Sequence, residues 1–138
     1  MATILVIEDK PANMKLANLL LHNAGHRVLC AVDAESGLLL ACAEQPDLIL
    51  MDLLLPGMDG LAATARLKQD LLTSEIPIVA LTAMTAKEDV DKSDLAGCDA
   101  HITKPLHYDE LYKVIDIVLA RRKQRAASAD DDSAPQAP

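Results

Sequence analysis

Aromatic residues are almost missing from this chain. Tyr108 and Tyr112 are all there are, with no Phe and no Trp. A nucleic-acid surface built on stacked bases is thereby excluded, and any core must be aliphatic. Excess positive charge is missing too: the formal net charge is −8, the wrong sign for a nonspecific polyanion binder. No apolar run approaches the ~18 residues that span a bilayer, so no membrane contact is expected. The opening Met-Ala-Thr-Ile-Leu-Val-Ile-Glu-Asp has no basic region ahead of its apolar residues and does not read as a signal peptide. Cys30, Cys42 and Cys98 form no C-x-x-C pair. They are expected to be inert thiols in a reducing, cytoplasmic setting.

What is present is aliphatic and regular. Hydrophobic residues make up 51% of the 138 and charged residues 25%, a balance that favours one folded domain with its own core. Continuous apolar runs alternate with helical patterns. Strands are expected at 3–7, 27–32, 47–53, 77–81 and 100–103, and helices at 11–24, 34–43, 61–71, 85–95 and 108–122. Pro11 suits a first helical turn and Asp33 an N-cap. Five β-α units with apolar strands imply a parallel sheet covered on both faces, and right-handed crossovers make it doubly wound. The domain is expected to span 1–123. Residues 124–138, with almost no large apolar side chain, are expected to form a disordered tail.

In such sheets ligands sit beyond the C-terminal ends of the strands. Glu8 and Asp9 follow the first strand, Asp52 ends the third, Thr82 and Ala83 end the fourth, and Lys104-Pro105 stop the fifth. If the first strand is central, three carboxylates, a hydroxyl and an ammonium converge. Two carboxylates about 4 Å apart repel by on the order of 4 kcal/mol at an effective dielectric of ~20. Keeping three together points to a divalent cation, and an oxygen-only set that leaves room for a phosphate oxygen suits Mg²⁺. Lys104 offers a point charge for a phosphoryl group and Thr82 a donor. The inventory is complete for phosphoryl transfer onto a carboxylate.

These residues, with Pro56-Gly57-Met58-Asp59-Gly60 between them, carry a resemblance. The sequence resembles the receiver domain of two-component response regulators over residues 3 to about 122. The resemblance implies a five-stranded, flavodoxin-like sheet in the order 2-1-3-4-5. It implies Asp52 as phosphoacceptor, with Mg²⁺ held by Asp9 directly, by Glu8 mostly through water, by Asp52 and by the backbone carbonyl of Leu54. The phosphoryl group would be bound by Thr82, the backbone of Ala83 and Lys104, with a cis peptide before Pro105. The donor would be a sensor histidine kinase or histidine phosphotransfer protein, docking on the first helix around Met14, Lys15 and Leu16. The segment 8–16 is also similar to stand-alone receivers of the DivK type, a run that receivers of hybrid kinases share.

Three positions depart from the common pattern. The switch residue three before the Lys, often Tyr or Phe, is His101, which is smaller and titratable. It is expected to move inward behind Thr82. Leu54 and Met84, two residues after Asp52 and Thr82, cannot orient an attacking water by hydrogen bonds, so self-hydrolysis should be slow. With no second domain read after the last helix, output is expected by contact, through the 85–95 helix, the fifth strand and the last helix. A constitutive scaffold is the alternative. An Asp-nucleophile phosphatase would want an acid where Leu54 stands, and a flavin site would be repelled by Glu8 and Asp9. The basic run 121–125 is expected to be the cationic end of the last helix.

Overall fold

The structure is a computed structural model that describes residues 2–53, 55, 57–82 and 97–133, with 124–133 as backbone alone. The elements run β1 (Thr3–Ile7), α1 (Pro11–Asn23), β2 (Arg27–Ala31), α2 (Ala34–Glu44), β3 (Leu48–Asp52), α3 (Gly60–Gln69), β4 (Ile78–Thr82), β5 (Ala100–Thr103) and α4 (Tyr108–Ser133). The strands form one parallel sheet in the order β2-β1-β3-β4-β5; the parallel sheet is what the apolar runs predict, and the order is what the resemblance implies. The helix expected at 85–95 lies outside the described residues.

The sheet has an apolar layer on each face because its central strands alternate side chains between two buried sides. Ile4, Val6, Leu48, Leu50, Val79, Leu81 and Ile102 pack against Ala17 and Leu21 of α1 and against Leu111, Ile115 and Val118 of α4. Leu5, Ile7, Ile49, Met51 and Ile78 pack against Ala34 and Ala41 of α2 and against Ala63 and Leu67 of α3. Helix starts are fixed by side chains the sequence displays. Asp33 accepts from Ser36 N–H at 2.8 Å and Asp59 from Ala62 N–H at 2.7 Å.

Register carries this order to the site. Ile7 lies beside Met51, Asp52 beside Leu81 and Thr82 beside Thr103. The C-terminal ends of β1, β3, β4 and β5 are therefore nearly level, and the residues next in the chain after each strand emerge along one edge.

Two helix ends differ from expectation by more than one residue. α3 stops at Gln69 rather than 71, because the Asp70 carboxylate accepts the Leu72 N–H at 2.9 Å and turns the backbone out of the helix. Leu71 is left 94% exposed. α4 runs to Ser133, past the limit of 122–123 read from composition. Gln, Arg and Ala are good helix formers, so the loss of large apolar residues marks where packing ends and not where the helix ends. The basic run 121–125 thus lies inside α4, and the helix dipole does not account for it. Arg122 instead donates to the Pro46 and Asp47 carbonyls at 3.3 and 2.6 Å.

Gly37 shows how tightly α2 sits on the sheet: a Cβ there would overlap Ile7 Cδ1 and Cγ1, and Ile7 is fully buried. Overpacking of this kind costs about 1–3 kcal/mol, against a gain of about 1 kcal/mol in helix propensity. Gly37→Ala is therefore expected to lower the urea midpoint, and a raised midpoint would contradict this packing.

Candidate functional site at the strand ends

Glu8, Asp52 and Thr82 are almost fully buried, with 1%, 1% and 2% of their surfaces exposed. Each is placed by main-chain hydrogen bonds. Glu8 N–H donates to Ala31 O at 3.0 Å, continuing the β1 ladder by one residue. Asp52 is the last residue of β3. The turn after it folds back so closely that a Cβ on Gly60 would run into the Asp52 carbonyl oxygen and Leu53 Cα. Gly60 N–H donates to Leu53 O at 3.2 Å. Lys104 N–H donates to Thr82 O at 2.7 Å, and the Lys104–Pro105 peptide bond is cis. The Lys104 ammonium lies 3.1 Å from Asp52 Oδ2 and 3.6 Å from Glu8 Oε1.

The structure thus brings together Glu8, Asp9, Asp52 and Lys104, with Thr82 at the adjoining strand end. Glu8, Asp9 and Asp52 each offer a carboxylate oxygen, all within 4.8 Å of one another. Glu8 Oε1, Glu8 Oε2 and Asp9 Oδ1 are shut away from water without a well-formed hydrogen bond. One ammonium among three carboxylates leaves negative charge uncompensated. Crowded oxygens short of donors are what a hard divalent cation takes, so the residues fit Mg²⁺. Burial pushes the Glu8 carboxyl up from 4.5 to about 7, and the neighbouring Asp52 adds to the rise. Asn13 and Lys104 pull the other way.

Leu54, Ala83 and Met84 lie outside the described residues. His101 is half-buried on β5 beside Ala80. Ile102 points into the α1/α4 layer, so alternation directs His101 to the opposite face. His26 serves the fold rather than a metal pair with His22, its Nδ1 accepting from Ala2 N–H at 3.2 Å.

Two residues that the sequence motifs contain receive no site role from them. Asn13 lies against Glu8 and, with Leu16, Lys104 and Leu106, lines a cavity of about 60 Å³ beside the crevice. Its signal is Pro11, which starts α1 directly after the acid pair and brings the first turn back over the strand end. Gly60 is visible as a glycine in a first helical turn, a position with no need of it unless backbone passes close by.

A doubly wound α/β domain with an acid-and-lysine crevice at its strand ends is the class that fold and site define. The sequence matches the response regulator receiver domain over residues 4–116. Protein PilH of Pseudomonas aeruginosa is 38% identical over 120 residues, covering 87% of this chain and 99% of that protein. The polar-differentiation response regulator DivK of Brucella anthropi is 35% identical over 113 residues, covering 82% and 92%. The solved receiver domain of sensor histidine kinase PA1611 from P. aeruginosa, with a magnesium ion coordinated in its active site cleft, is also similar. It has a TM-score of 0.81 at 30% identity, covering 86% of this chain and 98% of that one. The chain belongs to the response regulator receiver family of two-component signalling.

Between about pH 4.5 and 7 the folded chain holds a proton on Glu8 that the unfolded chain has lost. The folded state binds more protons there, so this contribution to stability falls as pH rises through that window. In metal-free buffer, wild type is expected to lose more stability from pH 4.5 to 7 than Glu8→Gln does. Urea unfolding at several pH values checks this, and parallel profiles would contradict it.

Proposed function

We propose that the chain acts as a phosphoacceptor response regulator on Asp52 and signals by phosphorylation-dependent contact, as a DivK-type receiver would. The observation that carries this reading is Lys104 Nζ at 3.1 Å from Asp52 Oδ2 inside the three-acid crevice. An Asp52 oxygen attacks the phosphorus of a phosphohistidine. The new P–O bond forms as the P–N bond breaks, imidazole leaves, and an acyl phosphate results. Lys104 shifts its ammonium from the carboxylate to a phosphoryl oxygen, while the Thr82 hydroxyl and the Ala83 backbone donate to the others. Glu8, Asp9, Asp52 and the backbone carbonyl of Leu54 would hold Mg²⁺, with Asp9 direct and Glu8 mostly through water. When bound, the ion neutralises the acids and the incoming phosphoryl oxygens.

Several features support the remaining roles. On α1, Leu16 is 37% exposed and lines the cavity beside the crevice; with Met14 and Lys15 it would form the docking surface for the kinase or phosphotransfer donor. The output would pass through β5 and α4, together with residues 85–95 outside the described residues, and His101 would be the switch that moves behind Thr82. Self-hydrolysis is slow because Leu54 and Met84 offer attacking water no hydrogen bond, so the chain is a signalling acceptor rather than an enzyme. Among the described residues no helix is long and apolar enough to cross a membrane. Cys30, Cys42 and Cys98 form no disulfide, which supports a reducing, cytoplasmic setting.

Incubation with Mg²⁺ and acetyl phosphate is expected to give a labile phosphoryl adduct by intact mass on wild type and none on Asp52→Asn. No adduct on wild type would favour a constitutive scaffold. The adduct should persist well beyond seconds with no phosphatase present. In pull-downs, His101→Ala is expected to shrink the gain in partner binding that beryllofluoride produces in wild type, and an undiminished gain would remove His101 from the switch.

A further inference from the structure

β5 is a four-residue edge strand that pairs with β4 alone. It nevertheless delivers Lys104 to the crevice. How far Lys104 reaches depends on where β5 lies along β4. A slip of one residue would move it about 3.3 Å and exchange the faces taken by His101 and Ile102. A strand with one neighbour and so few ladder bonds needs its register set from outside.

The start of β5 shows how this is done. Asp99 N–H donates to Ile78 O at 2.8 Å, and the Asp99 carboxylate accepts the Ile78 N–H at 2.8 Å. The carboxylate therefore stands in for a ladder carbonyl at the first rung. Asp99 Oδ2 is also held by Lys68 Nζ at 3.0 Å, and the same ammonium reaches Ile76 O at 3.0 Å and Ser74 O at 3.5 Å. All three Lys68 donors are committed, and they join the end of α3, the approach to β4 and the start of β5. Gly97 brings the chain in against this lysine. Its φ of +95° is a left-handed backbone that favours glycine, and a Cβ there would lie 3.3 Å from Lys68 Cγ, a tight contact.

We propose that Lys68 and Asp99 are positioning residues that pin the register of β5 and so place Lys104 against Asp52. This rests on the reading in which Lys104 binds the phosphoryl group. It adds a control of Lys104 placement by a lysine on α3, whose ammonium is bound to Asp99, Ser74 and Ile76.

The test combines exchange and kinetics on the full chain. In Lys68→Met, amide hydrogen exchange in β5 should quicken by about tenfold or more while β1 and β3 stay protected, and Lys68→Arg should restore protection. Phosphorylation by acetyl phosphate should slow in Lys68→Met by between about tenfold and a hundredfold. Once Lys104→Ala is present, Lys68→Met should slow it no further, because the lysine acts through Lys104. Unchanged exchange in β5, or equal slowing with and without Lys104, would overturn the proposal. If wild type takes up no phosphoryl group, the functional reading fails, and the exchange comparison alone decides whether Lys68 pins the strand.

Discussion

One ammonium facing three carboxylates is the constraint on which the site depends. Lys104 is the cation within salt-bridge distance of Asp52 and Glu8 among the described residues. It holds the crevice together without satisfying it. Asp52 and Glu8 are buried at 1% exposure, where water screens little. Full compensation would make a stable but closed salt bridge. Partial compensation leaves an excess of negative charge that suits a hard cation. The raised Glu8 carboxyl expresses the same imbalance: where burial and Asp52 outweigh Lys104 and Asn13, a proton is the default guest.

The sheet makes this crowding possible by bringing acids from β1 and β3 to one level. The two apolar layers hold the central strands so firmly that repulsion at their ends cannot part them. Burial is complete or nearly so along β3 and β4 and along β1 from Ile4 to Ile7. The hydrophobic contribution of such strands, about 25 cal/mol per Å² of apolar surface, is set against a few close charge contacts at their tips. Gly60 closes the arrangement by letting α3 press on the backbone of Asp52, so the main chain that carries this carboxylate is fixed.

Much of this was legible in the sequence because each step used a strong local signal. A strand buried on both faces is a short apolar run, and the site of a doubly wound sheet is built from the residues just past such runs. Glu8, Asp9, Asp52, Thr82 and Lys104 were readable from that rule alone. The features that escaped are set by contacts between distant segments. The end of α3 depends on one Asp70 side chain, and a glycine gives no hint of whether a neighbouring backbone or an Ile7 methyl lies over it. Lys68 and Asp99, on separate elements, share no pattern a linear reading can see. The far end of α4 was missed because composition reports on packing, while helicity there follows propensity.

Tyr112 ties α4 to α1. Its hydroxyl donates to Leu20 O at 2.7 Å, near the end of the helix whose other turns border the crevice. Both helices also bury their apolar sides in the same layer. A displacement of α1 is therefore carried to α4 through a hydrogen bond and a shared floor of aliphatic side chains.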